Sequence, residues 1–359
     1  MKKRSIKILG GGISGLTAAI VLGKAGYDVE VYENKKYCGK ATNDFQFLAN
    51  WFANKDILDY LKNKIGIKLD FYVNPRNFIE FYGPSLKKYT GRGREPIMYL
   101  VKRGKNKDSI DSSLKRQAKE LGVKIRYNST IPKSKADIVA IGVGKPSALT
   151  MGVKFKLKHP SKEVVILDND LFGGWYGYLV SHKGVGEIVS CTPPGINDAE
   201  ERLNNTIRIF EKLLNFKVCR ISSRFSAIAV MDYVNRGFNG KQYIVGEAAG
   251  FQDAFAGFGM YYAFTSGYLA AQSIITGKDY DKMWKKDFLN KLKVSHRNRR
   301  LYGCLSNNLL NDLIDDLSKK KSFLKRVMHS SDFRIILRKA YDNGLKYFLS
   351  NLFTLKLKK

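Results

Sequence analysis

A glycine-rich turn close to the amino terminus constrains the fold of this chain more than any other feature. Residues 5–9 have the short apolar pattern of a buried strand, and Gly10-x-Gly12-x-x-Gly15 follows directly. Residues 14–26 then carry apolar side chains at helical spacing. A strand, a glycine turn and a helix in this order predict the start of a parallel βαβ unit, and therefore an α/β fold.

Each position of this turn requires glycine for a physical reason. Gly10 allows the tight turn, Gly12 lets a pyrophosphate approach the backbone, and Gly15 lets the helix pack closely on the strand. The second predicted strand, residues 29–32, ends at Glu33, whose carboxylate can accept hydrogen bonds from a ribose hydroxyl. Because helix N-termini also attract phosphate groups, the segment predicts a site for an adenine dinucleotide. Its predicted contact residues are Gly10, Gly12, Ile13, Ser14, Gly15, Glu33 and Asn34.

A second glycine-rich segment lies more than two hundred residues downstream. It runs through Gly246-Glu247-Ala-Ala-Gly250, continues to Gly257-Phe258-Gly259-Met260, and leads into an apolar helix predicted to end near residue 276. Here the sequence resembles the FAD-dependent oxidoreductases of the para-hydroxybenzoate hydroxylase fold, and within them it is most similar to the geranylgeranyl reductase family. In that family the corresponding segment has roughly the pattern G-D-A-A-G, followed by G-x-G and a helix.

The resemblance implies that FAD is the cofactor and that the two glycine segments hold it from both ends. Glu247 stands where the family has an aspartate, so a carboxylate is retained, whereas Ala254 stands about where the family usually has a proline. Gly246 and Glu247 would contact the ribityl and phosphate portion. The residues expected beneath the isoalloxazine ring are Gly257, Phe258, Gly259 and Met260.

Two single residues carry weaker resemblances. Arg103, with Asp111 after it, is similar to a family segment whose arginine lies near the FAD, although Lys107 occupies the literal spacing. Cys38 falls where the reductases often carry a cysteine near the reactive face of the flavin, which makes it a candidate catalytic residue. The alternative for Cys38 is a small buried side chain without a catalytic role.

An aromatic strand is the candidate for substrate contact. Gly174-Trp175-Tyr176-Gly177-Tyr178 stands where the reductases have a strand that lines the prenyl-chain pocket. The literal match fails, because Gly177 falls where a tryptophan is expected. Trp175, Tyr176 and Tyr178 are therefore predicted to face the substrate, with ordinary sheet packing as the alternative.

The remaining pattern predicts a discontinuous architecture with α/β and α+β elements. A Rossmann-like FAD-binding domain is interleaved with a β-sheet substrate domain, and a helical region follows at the C-terminal end. Residues 44–66 are predicted to be helical. The FAD-binding domain is assigned to residues 1–70, 98–150 and 225–290, the substrate domain to residues 71–97 and 151–224, and the basic helical region to residues 291–359.

The charge of the chain points to an anionic partner. The formal net charge is +31, from 63 Lys and Arg against 32 acidic residues. Residues 281–359 alone hold 20 Lys or Arg and 7 Asp, with apolar stripes between them. Such a segment suits an anionic membrane surface, and the alternative is a helical subdomain that packs on the body with a solvated basic face. No motif for specific nucleic-acid binding accompanies the charge.

Cysteine and histidine usage is uninformative for chemistry. The four cysteines are far apart without a CxxC pair, and the four histidines lack metal-ligand spacing. Neither a disulfide framework nor a metal site is predicted. The expected location is the cytoplasm, with peripheral membrane contact through the C-terminal region.

These features and the resemblance together predict a flavin-dependent reductase of carbon–carbon double bonds in an isoprenoid or similar lipid. The resemblance implies hydride transfer from N5 of reduced FAD. A single dinucleotide-binding unit is visible, so the predicted electron donor is NAD(P)H in transient contact or a ferredoxin-like protein. Two alternatives stay open. One is an FAD-dependent monooxygenase or halogenase on the same fold, and the other is a membrane-associated flavin-binding protein without turnover.

Overall fold

The computed structural model describes residues 5–40, 44–53, 56–142, 144–158 and 160–318. Its strands are β1 (Ile6–Leu9), β2 (Val29–Tyr32), β3 (Asp44–Ala49), β4 (Val73–Arg76), β5 (Phe78–Tyr82), β6 (Lys88–Arg92), β7 (Met98–Arg103), β8 (Lys124–Arg126), β9 (Ile138–Val139), β10 (Ala148–Lys156), β11 (Lys162–Leu167), β12 (Tyr176–His182), β13 (Val185–Thr192), β14 (Ile221–Ala229) and β15 (Tyr243–Ile244). The α-helices are α1 (Ile13–Lys24), α2 (Ile57–Asp59), α3 (Ile110–Glu120), α4 (Asn169–Phe172), α5 (Ala199–Leu214), α6 (Met260–Thr276), α7 (Tyr280–Trp284), α8 (Asn290–Gly303) and α9 (Asn307–Ser318).

A parallel sheet of five strands forms the first layer, in the order β15-β9-β1-β2-β8. Its central strands are buried on both faces, and Ile8 and Val31 have no exposed surface. Helix α1 covers one face, and α3 and α6 pack against α1. This is the Rossmann-like arrangement that the glycine turn predicts, and the α/β fold class is confirmed.

A mixed sheet of seven strands forms the second layer, in the order β14-β10-β13-β12-β11-β5-β6. Strands β5 and β11 pair in parallel, and the other neighbours are antiparallel. Helix α5 packs on one face of this sheet through Leu203 and Phe210. Strand β14 belongs to this layer, so the change between layers falls after residue 229 and not at the predicted residue 225.

The helix predicted over residues 44–66 is wrong for its first part. Residues 44–49 form strand β3, which pairs antiparallel with β7 in a small sheet of order β3-β7-β4. Helical structure begins only at Ile57 and continues through a π-helical turn at Tyr60–Ile65. The pairing partner β7 lies some fifty residues away in sequence, so a local pattern does not reveal it and tertiary context decides the conformation.

The start of the basic C-terminal region packs on the body of the protein. Leu292 of α8, with Leu310 and Ile314 of α9, is buried in the same core as the Rossmann layer. Residues 319–359, which include most of the apolar stripes predicted to face a membrane, lie outside the described residues. None of the helices in the described ranges has the length and apolar composition needed to cross a membrane.

Candidate functional site

A cavity of about 730 Å³ lies between the Rossmann sheet and one face of the seven-stranded sheet. The residues that follow the carboxyl ends of β1, β2 and β9 line one end, and the aromatic residues of β12 line the other. Ligands of open α/β sheets bind at the carboxyl ends of the parallel strands. The volume is typical of a cofactor or substrate site.

The glycine turn has the geometry that the motif predicts. A side chain is excluded at Gly10, where φ is +109° and an added Cβ would lie 2.7 Å from the Ala140 oxygen. At Gly15 an added Cβ would lie 2.0 Å from the oxygen of Gly10, so the helix can pack this closely only without a side chain. At Gly12 an added Cβ would meet no atom within 4 Å, because this position faces the open cavity.

The N-terminus of α1 is free to meet an anion. Gly12 is the cap residue, no side chain caps the helix, and the first turn has no acidic residue. The backbone N–H groups of the first turn have no partner within the helix, and Ile13 and Ser14 line the cavity beside them. This end of the cavity therefore fits the pyrophosphate of a dinucleotide.

Glu33 lies beside the glycine turn at the end of β2. Its carboxylate accepts hydrogen bonds from the Gly11 N–H at 2.9 Å and the Lys35 N–H at 3.0 Å. The side chain is only 7% exposed, yet it lines the cavity together with Asn34. The carboxylate thus fixes the turn and also stands where a ribose hydroxyl of a bound dinucleotide would be.

The second glycine segment packs directly on the first. An added Cβ at Gly246, where φ is +60°, would lie 2.6 Å from the Ser14 hydroxyl oxygen. One at Gly267 of α6 would lie 2.2 Å from the Ser14 carbonyl oxygen. The N–H of Gly246 also donates to the Ser266 hydroxyl at 2.9 Å. The two segments, far apart in sequence, therefore form one site.

Glu247 and the N-terminus of α6 also line the cavity. The Glu247 carboxylate accepts the Val230 N–H at 3.2 Å, and burial raises its pKa above the ordinary value. Gly259 caps α6 without a side-chain hydrogen bond, and Gly257 has a φ of +76°. A second helix N-terminus thus faces the cavity. Its neighbours in the lining are Gly257, Phe258, Gly259 and Met260.

Arg103 lines the cavity and is held by a fork of hydrogen bonds. Its guanidinium donates to both carboxylate oxygens of Asp111 at 2.9 Å and to Gln46 at 2.9 Å. Lys107, at the literal spacing of the family segment, is exposed and is not among the lining residues. The structure therefore places Arg103, and not Lys107, at the candidate site.

The seven-stranded sheet forms a roof over the cavity that is mainly aromatic and aliphatic and that also carries the carboxylates of Glu163 and Glu187. Alternate residues of a strand share one face, and Tyr178, Val165 and Phe81 lie side by side on three neighbouring strands. Tyr176 follows on the same face, and its hydroxyl donates to the Ala256 oxygen at 2.5 Å. Trp175, Tyr176 and Tyr178 all line the cavity, at the end where the glycines of the second segment lie.

The structure does not support the catalytic role predicted for Cys38. The thiol lies behind the glycine turn, near the position of a Gly11 side chain and 4.0 Å from the Tyr127 hydroxyl, and it is not among the lining residues. Burial raises its pKa to about 11, so the thiol is protonated at neutral pH. Burial and the raised pKa agree with the alternative of a small buried side chain, and the catalytic role of Cys38 stays a prediction.

Sequence reasoning missed several lining residues. Phe45, Gln46 and Phe47 line the cavity from β3, the strand predicted to be helical. Arg299 lines it from α8, where the sequence carries no recognisable motif. Glu187 is a buried carboxylate of the roof, paired with Lys154 at 3.0 Å. Only the alternation of side chains along β13 could have indicated from the sequence that Glu187 faces the cavity.

Comparison with known protein sequences identifies only the amino-terminal part of the chain. The family model of the NAD(P)-binding Rossmann-like domain matches residues 8–60. A search of curated protein sequences finds no match.

Solved structures match nearly the whole chain. A geranylgeranyl bacteriochlorophyll reductase-like protein from Thermoplasma acidophilum is 17% identical with a TM-score of 0.76, covering 94% of this chain and 98% of that chain. A flavoprotein/dehydrogenase from Cytophaga hutchinsonii is 14% identical with a TM-score of 0.64, covering 99% and 100%. A probable FAD-dependent monooxygenase, pqsL, from Pseudomonas aeruginosa is 13% identical with a TM-score of 0.61, covering 87% and 100%.

The fold is that of the dinucleotide-binding flavoproteins. More particularly, the chain has the fold of the FAD-dependent oxidoreductases that include geranylgeranyl reductase-like proteins and monooxygenases. The resemblance found in the two glycine segments is confirmed at this level.

Proposed function

We propose that the chain is an FAD-dependent oxidoreductase that reduces carbon–carbon double bonds of an isoprenoid or similar lipid. The observation that carries the proposal is the composition of the cavity. One continuous space joins a glycine-lined end, suited to a pyrophosphate, to a roof of aromatic and aliphatic side chains, suited to an apolar substrate.

The described residues fit FAD at both ends of the cavity. The free N–H groups at the start of α1 would meet the pyrophosphate, and Glu33 would accept a hydrogen bond from the adenosine ribose. Glu247 would accept hydrogen bonds from ribityl hydroxyls, and the N-terminus of α6 would face the ring system. When bound, reduced FAD supplies a hydride from N5.

The chain itself orients the substrate and keeps water out. The roof residues Phe81, Val165 and Tyr178 offer apolar contact to a lipid chain above the ring end of the cavity. The charge of Arg103 is paired, because Asp111 accepts hydrogen bonds from its guanidinium through both carboxylate oxygens. Apolar side chains above the ring would limit the access of water, and this would protect a reduced cofactor from side reactions.

The absorbance spectrum of the purified protein and an anaerobic turnover assay test the proposal. We expect a bound flavin spectrum, and reoxidation of chemically reduced enzyme by a prenyl alkene without oxygen. An absolute requirement for oxygen would instead support a monooxygenase or halogenase. Bound flavin that no alkene reoxidises would support a flavin-binding protein without turnover. NAD(P)H and a reduced ferredoxin are then compared as electron donors.

We also propose that the basic C-terminal region contacts an anionic membrane. The charge of residues 281–359, 20 Lys or Arg against 7 Asp, supports it. Co-sedimentation with anionic liposomes should weaken with salt and disappear when the chain is truncated after Ser318. Unchanged binding of the truncated chain would contradict the proposal.

A further inference from the structure

Helix α8 reaches the cavity at the loop that leads into α6, which we define as the loop of residues 253–257. Arg299 donates from Nε to the Ala254 oxygen at 2.9 Å and from Nη2 to the Phe255 oxygen. Ser295, one turn earlier on α8, accepts the Ala254 N–H at 3.1 Å. Two side chains of helix α8 therefore fix the backbone just before Gly257 and Gly259 of the second glycine segment.

The same guanidinium also contacts the aromatic strand. The Arg299 guanidinium carbon lies 3.8 Å from the centre of the Trp175 ring, a cation–π distance. The hydroxyl of Tyr302, one turn later on α8, donates to the Trp175 oxygen at 3.2 Å. Helix α8 thus links the loop of residues 253–257 to the start of the substrate-facing strand.

The charge of Arg299 is poorly neutralised by the protein. Within the described ranges no carboxylate lies within 4.0 Å of its guanidinium, and Nη1 is buried without a hydrogen-bond partner. Asp253 is the carboxylate whose negative charge acts on Arg299, and it accepts the Ala256 N–H at 2.6 Å. An arginine stays protonated even when burial lowers its pKa, as it does here. A cation therefore borders the cavity beside Gly257.

We propose that Arg299 is a positioning residue of the flavin site, which fixes the loop of residues 253–257 and places a half-buried positive charge beside the ring end of the cofactor. This inference rests on the proposed function. A fixed positive charge favours the negative charge that reduction adds to the ring, so Arg299 raises the reduction potential. At an effective dielectric constant of about 20, one charge that borders the site is expected to shift the ratio of reduced to oxidised cofactor roughly tenfold.

The test separates charge from loop anchoring with four variants of the holoenzyme. R299Q removes the charge and R299K keeps it, while S295A removes the other anchor of the loop at an uncharged side chain. R300Q is the matched control, because Arg300 is the next residue on α8 and is exposed. The measurements are the midpoint potential of the bound flavin and the dissociation constant for FAD.

We expect R299Q to lower the ratio of reduced to oxidised flavin about tenfold, which is about 30 mV for a two-electron couple. R299K, S295A and R300Q should stay within roughly threefold of the wild type in this ratio. R299K and S295A should weaken FAD binding roughly tenfold, because each removes a fixed contact of the loop, whereas R300Q should leave it unchanged.

Two results would overturn the inference. One is a potential of R299Q that equals that of R300Q, and the other is an R299K variant with wild-type affinity for FAD. Should R299Q fail to fold, R299K still decides, because retained potential with weakened affinity supports the inference and unchanged affinity overturns it. A wild-type protein that binds no FAD would refute the proposed function itself, and this outcome is visible before any variant is made.

Discussion

Replacement of Gly12 by alanine should weaken FAD binding at least about tenfold and leave the fold intact. Gly12 has φ −81° and ψ −175°, a conformation open to alanine, and an added Cβ would meet no atom within 4 Å. The remaining cost is the weaker helix cap that alanine provides, which is at most about 1 kcal/mol. The free energy of unfolding of the protein without cofactor should therefore change little.

The effect on FAD is larger because the added methyl group enters the space in front of the α1 N-terminus. A phosphate oxygen bonds to a backbone N–H at about 2.9 Å, whereas it must stay roughly 3.5 Å or more from a methyl carbon. Each charge-assisted hydrogen bond that is lost costs about 1.5–3 kcal/mol. The dissociation constant should rise roughly 10- to 100-fold for each bond.

Urea unfolding and titration with FAD check the two halves of this prediction. Gly15→Ala is the matched control, because its Cβ would lie 2.0 Å from the Gly10 oxygen and should cost about 1–3 kcal/mol of stability before any cofactor is added. The reasoning is refuted if Gly12→Ala binds FAD within threefold of the wild type. It is also refuted if Gly12→Ala is destabilised as much as Gly15→Ala.

Three further predictions concern the same site. Glu33→Gln should lower the unfolding free energy by about 1.5–3 kcal/mol, because one of two backbone N–H groups loses its acceptor, as urea denaturation would show. Gly267→Ala should cost about 1–3 kcal/mol, since its Cβ would lie 2.2 Å from the Ser14 oxygen, whereas Gly303→Ala, with no atom within 4 Å, should cost nothing. Burial raises the pKa of Asp253 to about 6, so its stabilising contribution is greatest below the unfolded-state pKa and falls as the pH rises to 6. Wild type should therefore lose about 2 kcal/mol relative to Asp253→Asn between pH 4 and 6 in urea denaturation, and parallel pH profiles would contradict this.

The amino-terminal unit could be predicted because its signals are local. Strand β2 was predicted with its observed bounds, and α1 within two residues, since both are set by apolar periodicity and by glycines a few positions apart. Ser109 caps α3 by accepting the Ser112 N–H at 3.1 Å, a role that serine favours through its residue type alone. Where the physical cause of an element lies within that element, its position can be predicted from the sequence.

The contacts that join distant segments could be predicted only through resemblance. No pattern in α6 indicates that Gly267 lies on Ser14. Strand β3 was predicted as helix because its partner β7 is not adjacent in sequence. The row of Tyr178, Val165 and Phe81 depends on the register of three strands, and register is a property of the assembled sheet.

Helix α8 shows why the site extends beyond its motifs. The glycines of the second segment are recognisable in the sequence because only glycine permits their backbone conformation. The residues that hold that backbone in place can have almost any identity. Arg299 acts through its reach to two carbonyl oxygens, and an arginine in a basic helix looks like a solvated charge. The loop that leads into α6 is therefore held in part by a region of the chain where residue type alone gives no indication of a role.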